Sequence, residues 1–525
     1  MMSHVYAVAA LCAAVAFAAG CTAGKQAEPD ASDSDRASYE FAITTPDQRV
    51  QRLFDRGLAH AFAYERGTAA HLFGKALRLD STCALCYWGL VYAARPNWYA
   101  DAGMEAGEAA SLLLSARRYG TLAGEREQAF IEAFGWTAAD SAGADGDPFA
   151  WKAVDMLPLL YRAPDDPDAA TLYAEGLMRD AGWRLWRDDG QPAEATVEAL
   201  GRLENVLTRH PEHPGAQFLY LLALERRLPE LALPVAERMA ENPPEPLGLR
   251  RLPAHIFMRT GRYHDVTRLL DGVWAEAHAD TAACPSEAGY DTWHYGEVLW
   301  SALLFEGRSA DAIAVARHLA HAAGDSLAEP GHDRWQHVRS LPVLTLAWFG
   351  EWDRLYRQPA PPERFRYERT IWEFTQGMAA HHLGLNERAG QAEAWLAGAA
   401  EEGESAGDAP RLLHRLLAGV RAAGRGEYDV AAALLDEAVA IQEEQAPDFI
   451  APLYRPARQV LGEVWLEAGD PARAERVFEE DLVVYPENGR SLWGLYRSLM
   501  AQQRDAPARI ALDRYNRAWI WADAD

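Results

Sequence analysis

Residues 461–489 read LGEVWLEAGDPARAERVFEEDLVVYPENG, and their spacing decides the fold. Trp465 stands three residues after Gly462, Ala474 twelve after, Phe478 sixteen after and Pro486 twenty-four after. Apolar residues recur at helical period on both sides of Gly469-Asp470-Pro471. Small Gly and Ala suit the place where two antiparallel helices cross closely, and a large side chain fills the gap to the next pair. Proline stops the second helix because it cannot continue the hydrogen-bond ladder.

The pattern recurs elsewhere. Gly57 is followed at the same offsets by Ala69, Phe73, Ala76 and Ser81. Gly419 is followed by Ala431, Leu435 and Ala438, and Gly494 by Ala506 and Ile510. These offsets match the tetratricopeptide (TPR) signature of about 34 residues. The interval of 43 residues from Gly419 to Gly462 implies insertions in some repeats. Gly261-Arg262-Tyr263, Gly307-Arg308-Ser309 and Gly384 to Glu387 read as short turns between helices, and strand signals are nearly absent. Breaks at Asp140 to Pro148, Asn242 to Gly248 and Gln358 to Glu363 read as loops of one bent superhelix. The expected fold is all-α, a TPR-like superhelical array of antiparallel helix pairs, or α-solenoid, with roughly eight to ten pairs. Its expected divisions are 46–250, 251–385 and 386–525.

The chain has 525 residues, 49% hydrophobic and 24% charged, which are globular proportions. With 51 Lys and Arg against 77 Asp and Glu, the net charge is −26. So acidic a chain lacks the cationic footprint that nucleic acid requires, and peripheral adhesion to anionic lipid is disfavoured. A basic partner is favoured over an anionic one.

Val5 to Ala19 form an uncharged run too short to span a bilayer and of the length of a signal-peptide core. It ends in Ala18-Ala19-Gly20-Cys21, which resembles a bacterial lipobox. Position 18 is Ala where that pattern has Leu, and no Lys or Arg precedes the run. An ordinary secretory peptide that leaves Cys21 free is the other reading. Residues 1–20 are expected to be the signal peptide, and 21–45 an acylated Cys21 with a flexible tether. Thr22 to Ser38, TAGKQAEPDASDSDRAS, are small and polar with no apolar period. Thr22 is not the Asp of an inner-membrane retention signal, so the expected address is the bacterial cell envelope. The protein would be lipid-anchored and facing the periplasm, at the outer membrane.

Ser81 to Trp98, STCALCYWGLVYAARPNW, resembles the DPxCAMCYWGxAxxxGPN stretch of a family of bacterial, signal-peptide-bearing TPR proteins. Leu53 to Leu58 resembles its FDQGL, Leu252 to Tyr263 its MPSHIYIRTGRY, and Ala474 to Trp519 its closing segment, so the likeness spans residues 50–520. It implies a TPR-like superhelix and no particular reaction. The family pattern also has more histidines than this chain. His213 and Glu225 keep their places while Phe218 and Leu222 stand where the resemblance has His. His255 is kept and Arg251 replaces a His, and His294 is kept with Glu297 at the neighbouring His position.

His213, Glu225, His255, His294 and Glu297 are therefore the candidate ligand or metal residues, since imidazole and carboxylate are metal-ligand types and neutral His is a general base. The alternative is that they are packed, hydrogen-bonded core groups, and Arg251 beside a dication argues against a metal. Cys83-x-x-Cys86 opens a helix and reads as packing thiols, a local disulfide or a redox pair, without the βαβ setting of a thioredoxin. Cys284 is single. His381-His382 and His318-x-x-His321 read as surface or boundary residues. Gly403-Glu404-Ser405-Ala406-Gly407 has the nucleophile-elbow spacing without a preceding strand. No H-E-x-x-H, P-loop or Rossmann fingerprint occurs, so no catalytic residue and no cofactor is assigned.

The functional expectation is a membrane-anchored scaffold holding a protein or peptide partner in its concave groove, with Trp88, Trp98 and Tyr99 offering contact area. The partners expected are a protein or peptide, the membrane through the lipid anchor only, and no nucleic acid. The rival is a metal-binding protein or enzyme using His213, His255 and His294. Convergence of those three imidazoles around an open pocket separates the two.

Overall fold

Gly57, Gly419 and Gly462 each lie where the repeat pattern puts the close helix crossing. A Cβ at Gly57 would stand 2.8 Å from the Phe73 ring, one at Gly462 2.6 Å from Phe478, and one at Gly419 2.8 Å from Leu435. Any larger residue there would push the helices of a pair apart. The computed structural model describes residues 39–96, 103–139, 152–279, 287–327, 333–401, 408–444 and 453–523. Among them are 24 helices and no strands, forming an α-solenoid of antiparallel pairs. The pairs number twelve rather than eight to ten, and their helices vary widely in length, with 10 residues in Ala84–Ala93 and 20 in Glu287–Glu306. Local chemistry sets the ends. Asp47, Asp166, Asp470 and Asn488 each cap a helix N-terminus through their side chains.

The helix Leu247–Arg259 runs unbroken across position 250/251, and one apolar cluster runs from Phe41 to Val464. One expectation is corrected. In the last pair, Ala508 and Ala511 are buried while Ile510 is 63% exposed, so the Gly494 register is shifted by two residues. Gly494 packs instead against Phe478 of the preceding pair.

The first helices of most pairs pack on the first helices of their neighbours and form the inner layer. Solenoid repeats ordinarily touch only the next in line. Here distant inner helices also meet. The helix Gln48–Phe62 packs on Pro214–Leu224, Arg56 pairs with Glu245, and Glu65 accepts the Gly248 amide. These contacts close a first ring. Further along, the helix Glu287–Glu306 meets Gly489–Ala501, and Tyr263 donates its hydroxyl to the Pro486 carbonyl at 2.8 Å. Gly261 has φ +72°, and a Cβ there would lie 2.4 Å from the same carbonyl oxygen, so the residue must be small as well as left-handed. Trp519 Nε1 donates to Phe305 O at 2.9 Å, and the Asp523 carboxylate accepts the Ser309 and Ala310 amides. These contacts close a second ring. No helix among the described residues is long and apolar enough to cross a membrane.

Candidate functional site

The mouth of the first ring holds the chain's own segment Tyr39–Thr45. These residues were expected to belong to the tether, yet they lie extended against the inner helices. Tyr39, Phe41 and Ile43 face the ring, whereas Glu40, Ala42 and Thr44 are exposed, which is the alternation of a strand. Phe41 is 1% exposed, with Phe130 at 5.0 Å and Phe54 at 5.6 Å between ring centres, and the Arg126 guanidinium lies 4.0 Å over its face. Burying such a side chain stabilises by about 1.5–3 kcal/mol.

The main chain of the segment is held by side chains. Asp55 accepts the Phe41 amide at 3.0 Å, Gln51 accepts the Ile43 amide at 3.0 Å, and Glu127 accepts the Thr44 amide at 2.7 Å. Gln51 also donates to Phe41 O at 2.8 Å. Tyr39 donates its hydroxyl to Asp168 and packs its ring 4.7 Å from His213. Burial pushes the Asp55 carboxyl up to about 7, against the opposing bonds from Gln51 and Phe41. Gln51, Asp55, Glu127 and Asp168 are all buried. Sequence reasoning missed this set. Its available signal was the pair Gln51 and Asp55, four residues apart on a helix face otherwise carrying Phe54 and Leu58.

The sequence-derived histidines divide into two places. His213 caps the helix Pro214–Leu224: its Nδ1 accepts the Ala216 amide at 3.2 Å, and Nε2 faces Asp168 Oδ1 at 3.1 Å. His255 and His294 meet elsewhere, Nε2 to Nε2 at 3.1 Å, and His255 Nδ1 lies 3.1 Å from Glu225 Oε1. Burial alone would raise Glu225. The His255 contact and the Arg259 and Arg251 guanidiniums more than offset it and hold the carboxyl below its ordinary value. Burial lowers His255, and burial with His255, Arg251 and Arg334 nearby sets His294 well below the usual range.

Both rings are thus neutral and Glu225 is ionised at pH 7. His255 Nδ1–H then donates to Glu225, and His294 Nε2–H donates to His255 Nε2. This is a directed, satisfied Glu–His–His chain. Glu297, raised by burial, accepts from Arg334 at 2.7 Å. Among the described residues no group of three or more His, Cys, Asp or Glu is placed to hold a metal ion. The structure therefore brings two of the three candidate imidazoles together, buried, and holds the third on other partners.

Cys83 and Cys86 are joined by a disulfide, both buried at 2% and 0% exposure, at the start of the helix Ala84–Ala93. Trp88 is a core residue, 1% exposed and stacked on Tyr92, so it offers no contact area. His318 packs edge-on against Trp274, and His382 stacks on Trp352 at 4.1 Å. Residues 1–38 with Cys21, Trp98, Tyr99, the 140–148 break, Cys284 and the 403–407 spacing lie outside the described residues. Between the helices Tyr428–Glu444, Ala457–Glu467 and Pro471–Val484, residues that include Asp436, Arg458, Trp465, Arg473, Arg476 and Glu480 line a groove of about 260 Å³.

No family model and no curated protein matches the chain. Solved structures similar to it include a human IFIT1 dimer with m7Gppp-AAAA, 12% identical over 90% of this chain and 94% of that one, TM-score 0.29. Yeast Tom70 is 11% identical over 90% and 93%, TM-score 0.24. The APC/C hetero-tetramer Cut9–Hcn1 is 12% identical over 91% and 95%, TM-score 0.29.

Proposed function

We propose that this chain is a non-catalytic scaffold, tethered to the bacterial cell envelope through acylated Cys21 and facing the periplasm, that binds an extended peptide of a protein partner. The observation that carries the binding half is the seating of Tyr39–Thr45 in the first ring. Side chains of the inner helices take up its main-chain amides and an aromatic pocket takes Phe41. Main-chain recognition of an extended stretch, with pockets for alternate side chains, is a general mode of peptide capture. Glu225, His255 and His294 bond one another, and among the described residues no group of three or more His, Cys, Asp or Glu is placed to hold a metal, which favours the scaffold over the metal or enzyme reading.

A photoreactive residue in place of Arg126, whose guanidinium lies over the Phe41 ring, is expected to give a discrete cross-linked partner in intact cells, whereas the same residue at exposed Val197, on the outer helix Glu194–Arg209, is not. Identical patterns from both positions would remove this reading. The anchor is tested separately, since Cys21→Ser should move the protein from the membrane fraction to the soluble periplasmic one.

A further inference from the structure

We infer that Tyr39–Thr45 is a built-in competitor, occupying the groove that a partner's extended peptide with two aromatic side chains two residues apart must enter by displacing it. This rests on the peptide-binding reading above and adds to it the partner's chemistry and its regulation.

The geometry separates what the ring recognises from what this segment happens to carry. Asp55, Gln51 and Glu127 bind amides at 41, 43 and 44, and Gln51 binds the carbonyl at 41, groups that any extended non-proline peptide presents. Two positions read side chains. The Phe54, Phe130 and Arg126 pocket takes an aromatic ring, and cation–π contact favours that over an aliphatic side chain. Asp168 and His213 take a hydroxylated ring two residues earlier. The outward residues Glu40, Ala42 and Thr44 are exposed, and Thr44 is held through its amide and hydroxyl alone.

Only Phe41 of the segment is fully buried. It leads through Pro46 and Asp47 into the helix Gln48–Phe62, but among the described residues its own main chain makes no backbone–backbone hydrogen bond, so it can peel away from its Tyr39 end without breaking a helix. Being on the same chain, it competes at an effective concentration of about the millimolar range. A free peptide of equal intrinsic affinity therefore binds far more weakly while the segment is seated. In the envelope-tethered reading the segment is continuous with residues 22–38 and Cys21, so the plug and the anchor lie on one stretch of chain.

The probe is the synthetic peptide SYEFAITTP, residues 38–46, used with the full-length protein. In the wild-type chain, hydrogen exchange at the Phe41, Ile43 and Thr44 amides is expected to be faster than in the inner helices. It should accelerate severalfold on adding excess peptide, but not on adding the peptide with Ser in place of Phe. A labelled peptide should bind the double variant Tyr39→Ser, Phe41→Ser at least about tenfold more tightly than the wild type. Should the double variant fail to fold by circular dichroism, the wild-type exchange decides alone. Amides at 41, 43 and 44 that exchange only with the inner helices and ignore the peptide would make the segment a fixed cap of the fold and overturn the inference. That result with the Arg126 cross-link retained sinks the competitor alone, and loss of both sinks the peptide-binding reading too.

Discussion

The two rings close by the same device, distant inner helices brought into contact, yet their interiors treat charge differently. In the first, Arg95 and Glu175 are 1% and 0% exposed and answer each other. Arg95 donates from Nε to Glu175 at 2.6 Å and from Nη1 to Ala61 O and Tyr92 O, while Tyr64 and Tyr92 donate their hydroxyls to the same carboxylate. Burial alone would raise Glu175. The Arg95 and Arg179 guanidiniums offset this and hold it below its ordinary value. In the second ring, Arg455 pairs with Glu463, but Arg490 has no carboxylate within 4.0 Å among the described residues. Its Nη2 donates to Trp348 O at 2.8 Å, its guanidinium lies 5.8 Å from the Trp519 ring, and its buried Nε has no acceptor among the described residues. Burial and the neighbouring Arg455 push Arg490 down to about 10. A shared repeat architecture therefore does not dictate how a ring's centre is neutralised. A net acidic chain still carries a site short of negative charge.

The largest effect expected from this contrast is in the first ring. Glu175→Leu leaves Arg95 buried without its counter-charge, which costs about 3–5 kcal/mol. The double change Arg95→Leu, Glu175→Leu should recover much of that, because matched apolar groups replace a desolvated pair. Urea unfolding followed by tryptophan fluorescence reads both, since Trp88 stacks on Tyr92 with 5.0 Å between ring centres. Equal losses in single and double variants would show that the pair is not what balances the first ring.

The pH response comes next, with opposite signs in two places. Asp55 in the first ring is raised to about 7 by burial. Between its unfolded value near 3.9 and about 7 the folded state keeps a proton that the unfolded state releases. Its contribution is present at low pH and is lost as pH rises through about 7, a change of about 2–4 kcal/mol, and Asp55→Asn should abolish it. His255 and His294 are lowered. Their contribution is full above the unfolded value near 6.5 and is lost as pH falls below it. Hydrogen exchange protection resolved by segment, followed from pH 5 to 8, should show the helix Gln48–Phe62, which carries Asp55, loosening toward alkaline pH and the helix Leu247–Arg259 toward acid.

Much of the fold was legible because packing at the helix crossing restricts residue size. Gly57, Gly419 and Gly462 announce their pairs and the structure puts large side chains on all three. Gly494 misled because a glycine can serve the preceding pair as well as its own, and sequence spacing does not say which. The candidate site was half legible. His255, His294 and Glu225 were found by residue type and do meet, but His213 was grouped with them although its ring caps a helix. Ring closure was not legible at all, since contacts such as Tyr263 with Pro486 join residues 223 apart in sequence and depend on superhelical curvature. For the same reason the seated segment at 39–45 looked like the end of a tether.

Packing at the crossings gives the third prediction. Gly462→Leu should destabilise the C-terminal repeats by about 1–3 kcal/mol, because Phe478 already occupies the space. Gly398→Ala, on an exposed position of the helix Asn386–Glu401 with nothing within 4 Å, should instead stabilise by about 0.5–1 kcal/mol. Thermal melts that move both variants the same way would mean that the crossing is looser than the ring contacts require.

The smallest effect expected is the one that tests the comparison most directly. Arg490→Met keeps a long, flexible side chain against the Trp519 ring and removes the guanidinium. The change loses one hydrogen bond to Trp348 O, which a mutational series values at about 1.5–3 kcal/mol for a charged donor. Against that, it removes the desolvation of a cation with no carboxylate within 4.0 Å among the described residues and its repulsion from Arg455, which offset the loss in the same range. The net change should therefore lie within about 1 kcal/mol of zero, where Arg95→Met in the first ring should cost several times more. The two variants, compared by urea midpoint at one pH and one salt concentration, decide it. Should Arg490→Met cost as much as Arg95→Met, the second ring must hold a counter-charge for Arg490, and the asymmetry between the interiors disappears.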